Sequence, residues 1–282
     1  MIWYPWFKIY PLNSFLALGI GLFFLLTLLY SSRFMRGKQG LFGYYLNIIL
    51  TFIAAEGAVL TNHLVLLLVF WGFLGLTLYL LIAMNPDAAK VAKKSLVIVG
   101  GTDALMILGV GILYYLTGTF QMDAIHLDCQ GGPEVLAFLC LALGCFAKAG
   151  AIPLHSWIPG CAQKAPLPAV ALLPASLDKL LGIYLLARIS LQMFVLNNSL
   201  KCLLMLVGAV TIIAAVMMAL VQHNIKKLLG FHAVSQVGYM VLGIGTGVAI
   251  ARGAAQLLRQ AGVTPTVVDA RFVKPLDAEL LD

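Results

Sequence analysis

Apolar runs of about 20 residues, the length needed to cross ~30 Å of hydrocarbon, recur along the chain between short polar stretches. They predict helices near 14–32, 42–60, 64–84, 95–118, 135–154, 167–189, 200–222 and 229–249. The first run has no small-residue cleavage site after it and reads as an anchor rather than a signal peptide. The pattern therefore predicts an all-α, polytopic transmembrane bundle of about eight helices, followed by a short tail of different grammar.

The polar stretches test this count. Arg33, Arg36 and Lys38 follow the first run, and Lys90, Lys93 and Lys94 the third. Lys164 follows the fifth, and Lys226 and Lys227 the seventh. With eight crossings all of these share one side, which the Lys/Arg bias makes cytoplasmic, leaving the N-terminus outside. Asp123, Asp128, Glu134 and the turn at His63 fall on the other side, with Arg188 and Lys201 as exceptions to the rule. Trp3, Trp6 and Tyr10 suit an interfacial aromatic belt.

From Ala251 the grammar changes. Ala254, Leu257, Leu258 and Ala261 make one apolar helical face that Gly262 would end. Thr266-Val267-Val268 follows as a β-branched run and Lys274-Pro275-Leu276-Asp277 as a turn, the sequence style of a soluble α/β domain. One helix and one strand cannot bury a core, so this tail is too short to fold alone. The expected division is a membrane domain over residues 1–249 and a tail over 250–282.

Composition agrees with lipid as the solvent. Of the 282 residues 62% are hydrophobic and 10% charged, with a mean hydropathy of +0.99, against about a quarter charged in soluble domains. A soluble fold with so little polar surface would expose large apolar patches. The net charge of +7 sits in loop clusters, not on a basic face interleaved with aromatics, which argues against nucleic acid as a partner. Cys129, Cys140, Cys145, Cys161 and Cys202 form no CxxC pair, so neither a disulfide framework nor a metal site is expected.

The informative residues are charges placed where charges are costly. An ionised side chain at the bilayer centre costs at least ~2.5–3.5 kcal/mol on insertion scales, so such groups face the bundle interior, pair, or line a hydrated path. Glu56, Asp103, Lys148, Asp178 and Lys179 fall inside the predicted helices, with His232 near the start of the eighth. Each has a plainer reading. Asp103 follows Gly100-Gly101-Thr102 and could mark a local break. Glu56 is close enough to a helix end to be interfacial. Lys179 could snorkel from a short helix, Asp178 could be its neighbour's counter-charge, and His232 could be a hydrogen-bonded core residue. Pro153, Pro159, Pro166, Pro168 and Pro174 crowd the same region. Proline inside a membrane helix frees carbonyls that other groups must satisfy, and broken helices beside buried lysines are a recurrent design for ion pathways. Packing kinks are the plainer alternative. Gly243-Ile244-Gly245-Thr246-Gly247 has the wrong spacing, and no strand before it, for a dinucleotide fingerprint.

Two segments carry a resemblance. CFAKAGAIPLHSWIPGCAQKAPLPAVALLPASLDKLLGIYLLARI over 145–189 and VQHNIKKLLGFHAVSQVGYMVLGIG over 221–245 resemble the antiporter-like membrane subunits. These occur in respiratory NADH:quinone oxidoreductase, membrane-bound nickel–iron hydrogenases and Mrp-type sodium/proton antiporters. The wording around LDKLLGIYLLARI is most similar to the hydrogenase-related branch. The resemblance covers roughly residues 10–247 and implies inverted five-helix repeats, each giving half of a proton path around a broken helix. It aligns Lys148 with the lysine of the first broken helix and leaves Lys179 one position from the next helix's usual lysine. Where the family has a glutamate after Phe-Trp, Phe70-Trp71 is followed by Gly72, so Glu56 or Asp103 would have to substitute as the partner of Lys148. Pro159-Gly160 stands for the usual Pro-Asp. The match starts at the family's third helix and stops early in the second repeat. The tail GVTPTVVDARFVKPLDAELLD resembles the C-terminal domain of 1-deoxy-D-xylulose-5-phosphate synthase, without that enzyme's thiamine and catalytic regions. It is expected to be a fused fragment or a joining artefact, not a second activity.

The resemblance implies a membrane subunit of a proton-translocating redox complex, not an enzyme on its own. The expected proton-relay residues are Lys148, Lys179, Glu56, Asp103, Asp178 and His232, with no catalytic, cofactor-binding or metal residues and no cofactor. Redox chemistry would fall to other membrane and peripheral subunits, since no haem, iron–sulfur or flavin motif is present. The expected setting is a prokaryotic-type inner membrane, with the lipid bilayer and protons or monovalent cations as the remaining partners. A stand-alone cation/proton antiporter and a non-functional truncated or chimeric chain are the alternatives, and a terpenoid-precursor synthase would require thiamine binding.

Overall fold

A computed structural model of the chain describes the backbone of residues 6–260 and the side chains of residues 6–246. Trp3 and the strand and turn expected at 266–268 and 274–277 lie outside the described residues. Eight helical spans are long and apolar enough to cross a membrane. The long helices are α1 (Pro11–Phe34), α2 (Leu41–Leu60), α3 (Leu64–Ala83) and α4 (Ala89–Thr117). The fifth span consists of α5 (Gly132–Ala149) and α6 (Ile158–Lys164), and the sixth of α7 (Leu167–Leu172) and α8 (Asp178–Arg188). The bundle closes with α9 (Asn198–Leu220) and α10 (Ile225–Gln260).

Local chemistry sets several of these boundaries. Pro11 starts α1, where a missing N–H costs nothing, and the Asn13 side chain accepts from the Tyr10 N–H at 2.8 Å. The Asn197 side chain caps α9 by accepting from the Leu200 N–H at 2.9 Å. At α5 the helix was expected to run to residue 154, but it stops at Gly150, whose φ of +87° is the left-handed conformation that glycine adopts at helix ends. The expected single helix over 167–189 is likewise interrupted. π-helical turns over Leu173–Leu177 and Ile189–Met193 flank α8, the first including Pro174, which cannot donate the regular hydrogen bond. The eighth helix continues through the expected boundary at 249/250 without a break, so residues 250–260 extend α10.

The loops sort onto two ends as the charge pattern predicts. At the lysine-rich end the Asn85 amide donates to the Lys164 carbonyl at 2.8 Å. At the opposite end the Leu64 N–H donates to Phe120, and those of Asn62 and Met122 to Trp6 and Asn62. The short strands β1 (Leu127–Asp128) and β2 (Phe194–Val195) pair in parallel there. Large side chains of α1 such as Phe15 and Leu18 are exposed, the expected face toward acyl chains, whereas α5 is buried along most of its length. Trp71, Trp157, Tyr44, Phe138 and Lys148 are among the largest fully buried side chains of the bundle. A lysine in that company needs an account.

Candidate functional site

Lys148 lies in the last turn of α5, just before the break at Gly150. The indole N–H of Trp157 donates to the Ala147 carbonyl at 3.0 Å, and the Ile152 N–H donates to the Thr211 hydroxyl of α9 at 3.1 Å. Side chains thus satisfy backbone groups that the break would otherwise orphan. The helix end is therefore held firmly, and Lys148 with it.

α8 crosses α5 closely because residue 182 is glycine. A Cβ there would lie 2.8 Å from the Ala149 N and Cβ and from the Cys145 carbonyl oxygen. Asp178, one turn before Gly182, is thereby brought to Lys148. The Lys148 Nζ is 4.0 Å from Asp178 Oδ1, and both side chains are completely buried. The same ammonium donates to the Trp71 carbonyl of α3 at 3.2 Å and stands 4.6 Å from the centroid of the Trp71 ring. Asp103 of α4 lies beside them, its Oδ2 being 3.7 Å from where a Cβ on Gly75 would project, one turn beyond Trp71. Asp103 and Asp178 each interact electrostatically with Lys148 and with one another.

Hydrogen bonding in this cluster is incomplete. Both Asp178 oxygens are buried without a hydrogen-bond partner among the described residues, and the Trp71 indole interacts with the Asp103 carboxyl. A buried polar group without a partner is held at a free-energy cost, the more so in surroundings of low dielectric.

The structure gathers three of the six candidate relay residues, Lys148, Asp178 and Asp103. Asp178, which could have been the counter-charge of adjacent Lys179, faces Lys148 instead, because neighbouring residues on a helix point some 100° apart. Lys179 and Glu56 are half-buried, and neither forms an ion pair among the described residues. His232, a relay candidate whose plainer reading was a core residue, is on the exposed face of α10. With glycine at position 72, Lys148 meets the Trp71 carbonyl and ring together with Asp178; Asp103, one of the two residues expected to substitute, lies beside it, and Glu56 is not among these contacts. A backbone carbonyl leaves no signature in a sequence, so that contact had no signal to find.

A second charged cluster was missed altogether. Arg188, which looked like an exception to the loop-charge rule, is only 3% exposed and reaches from α8 to the α2–α3 turn. It donates to the Thr61 carbonyl and to the Asn62 side-chain oxygen, both at 2.7 Å, and to the Tyr184 hydroxyl at 3.4 Å. Tyr184 in turn donates to the Val59 carbonyl at 3.0 Å and meets the Tyr10 hydroxyl at 2.6 Å. The Asn62 amide donates to Asp123 at 2.7 Å, and Lys8 completes the chain with an ion pair to Asp123 at 2.8 Å. Burial pushes the Asp123 carboxyl upward, but the bonds from Lys8 and Asn62 outweigh it and hold the group below the usual carboxylate range.

Comparison with known proteins agrees with this architecture. Residues 61–259 match the family model "NADH:quinone oxidoreductase/Mrp antiporter, TM", and residues 238–282 match "Transketolase, C-terminal domain". The chain is 32% identical over 249 residues to the chloroplastic NAD(P)H-quinone oxidoreductase subunit 5 of Drimys granadensis and 31% identical to that of Spinacia oleracea. Each alignment covers 84% of this chain and 33% of the relative, so the chain spans about a third of the length of these relatives. Among solved structures, the fold superposes on a chain of the archaeal membrane-bound sulfane sulfur reductase with a TM-score of 0.72 and 26% identity, covering 86% of this chain and 51% of that one. It also superposes on a chain of the Mrp complex from a Dietzia species, with a TM-score of 0.66 and 23% identity, covering 76% and 42%. That second likeness bears on the fold alone. With the family model covering the larger part of its length, this chain is a multi-pass membrane protein that belongs to the NADH:quinone oxidoreductase/Mrp antiporter transmembrane family.

Proposed function

We propose that the chain forms a proton-carrying part of a membrane-bound redox complex, with Lys148 as its central relay. One observation supports this above the rest: a completely buried lysine held 4.0 Å from a completely buried aspartate, outside hydrogen-bond contact. A tight, fully bonded pair would lock both charges. A loose pair with a second carboxylate, Asp103, beside it lets a proton reside on any of three groups at similar cost. Lysine suits the role because its pKa shifts readily when buried. In this reading a change in the distance between Asp178 and Lys148 loads or unloads the ammonium, and electron transfer occurs in other membrane and peripheral subunits. Glu56 and Lys179, half-buried in the spanning region, are candidates for conducting protons to and from the central trio. The exposed position of His232 leaves it out of this path. The relatives that are quinone oxidoreductase subunits and a respiratory complex support a redox host. A prokaryotic inner membrane as the location, and residues 250–282 as an appended fragment, are parts of the same proposal.

The test is proton flux into liposomes containing the full chain, read with an enclosed pH dye under an imposed potential. Lys148→Ala is expected to abolish flux. Lys148→Arg is expected to do the same while keeping the charge, because arginine does not release its proton. Undiminished flux in either variant overturns the assignment of Lys148. A flux that requires a sodium gradient would identify sodium, not the proton, as the driving ion.

A further inference from the structure

Where α1 begins, at the end of the bundle opposite the lysine-rich loops, a cleft of about 520 Å³ lies against Arg188. That size is within the ~300–1,000 Å³ usual for ligand sites. Its lining includes the polar side chains of Lys8, Asn62, Asp123 and Arg188 and the apolar ones of Leu191, Met193 and Val195. The cleft thus combines two cations and one carboxylate with apolar side chains.

The charge of Arg188 is unbalanced. Every group it donates to, the Thr61 carbonyl, the Asn62 amide oxygen and the Tyr184 hydroxyl, is neutral. The carboxylate on the same wall, Asp123, is committed to Lys8 and Asn62. No ion pair to Arg188 exists among the described residues, and its buried Nε has no hydrogen-bond partner. Arginine cannot escape burial by losing its proton. A buried cation without a counter-charge is among the least favourable arrangements in a protein, and supplying an anion is the remedy open to it. A planar guanidinium also matches the oxygens of a phosphate better than any other side chain.

We infer that this cleft binds the phosphate of an anionic phospholipid, with Arg188 as its buried counter-charge, Lys8 at the rim, and the Leu191–Val195 side against the apolar part of the lipid. A lipid fits better than free phosphate because half of the lining is apolar and the cleft opens at the end of membrane-spanning helices. The inference is independent of proton transport, since it uses none of the relay residues.

The full chain, purified in mild detergent and stripped of lipid, is titrated with phosphatidylglycerol, phosphatidylcholine or inorganic phosphate while thermal unfolding is followed. Phosphatidylglycerol is expected to raise the melting temperature by several degrees, and the other two are not. Arg188→Gln is expected to abolish this response. Because that variant could fold poorly for lack of its clamp, Gln192→Glu provides a second arm. Gln192 is exposed and lines the cleft, so the nearly isosteric change adds a competing carboxylate without removing a contact given for Arg188. It is expected to weaken phosphatidylglycerol binding by about tenfold or more. Equal stabilisation by phosphatidylcholine, full stabilisation by inorganic phosphate alone, or an unchanged affinity in Gln192→Glu would each overturn the inference.

Discussion

Among the described residues two cations, Lys148 and Arg188, are buried, and the difference between their surroundings separates the proposed relay from a clamp. Arg188 donates two bonds of 2.7 Å and a longer one of 3.4 Å, tying α8 to the turn between α2 and α3. Lys148 has a carbonyl at 3.2 Å, an aromatic face and a carboxylate at 4.0 Å. Arginine stays protonated in any environment and presents a rigid fork, so good geometry makes it a fixed strut. Lysine is a point charge on a flexible stem that can release its proton when poorly solvated. Incomplete bonding therefore means something different at each place. Around Lys148 it leaves buried carboxyl oxygens without partners, whereas at Arg188 it leaves a fixed charge without a counter-charge.

The comparison can be broken experimentally. The largest effect is expected from Asp178→Ala, which leaves Lys148 buried beside only the half-buried Asp103. Removing one partner of a buried pair costs about 3–5 kcal/mol, and thermal unfolding in detergent measures the loss. Unchanged stability would mean that the approach of Asp178 to Lys148 contributes nothing to the fold. Next is Gly182→Ala, which places a methyl 2.8 Å from the backbone of α5. Overpacking of this kind costs about 1–3 kcal/mol, and the separation of α8 from α5 is expected to reduce proton flux as well. A stability loss with flux intact would uncouple the close crossing from the relay. At the clamp, Asn62→Ala removes one acceptor from Arg188 and one donor from Asp123. A loss of about 1–3 kcal/mol is expected from the unsatisfied groups, with flux retained.

The smallest expected effect concerns pH. Asp123 is held below its ordinary range in the folded chain, so its bonds add stability above its unfolded pKa. That contribution disappears as the pH falls through the depressed folded value. Both side chains of the Lys8–Asp123 pair are well exposed, so the contribution is at most about 1 kcal/mol. Acid titration of wild type against Asp123→Asn, followed by thermal unfolding, should show the two curves converging at low pH.

How much of this was legible beforehand depended on the range of the interaction. The eight spans and their alternation followed from local hydropathy and loop charge, because insertion into lipid is decided segment by segment. The interruptions were harder. Prolines marked the region of residues 153–174, but the stop at Gly150 and the π-helical turns on either side of α8 depend on how neighbouring chains accept the freed backbone groups. At the site, the burial of Lys148 and Asp178 could be expected from the cost of charge in hydrocarbon. Their pairing could not, since 30 residues separate them and only the close approach at Gly182 brings them together. Arg188 was read as a loop charge because its partners, a carbonyl and an amide from the α2–α3 turn, lie far away in sequence. The exposure of His232 was not legible for a related reason: its position along α10 followed from the sequence, but a helix's rotation about its own axis is set by what packs on it.

The sequence alone determined that lipid is the solvent, where the chain crosses it and which titratable groups are held there at a cost. Each of these follows from the free energy of moving individual side chains out of water. The tertiary structure decided which of those groups meet, Lys148 with Asp178 and Asp103, and which turned away, as His232 did. Such choices rest on ångström-scale contacts between separate helices, where one glycine or one backbone carbonyl outweighs any local preference.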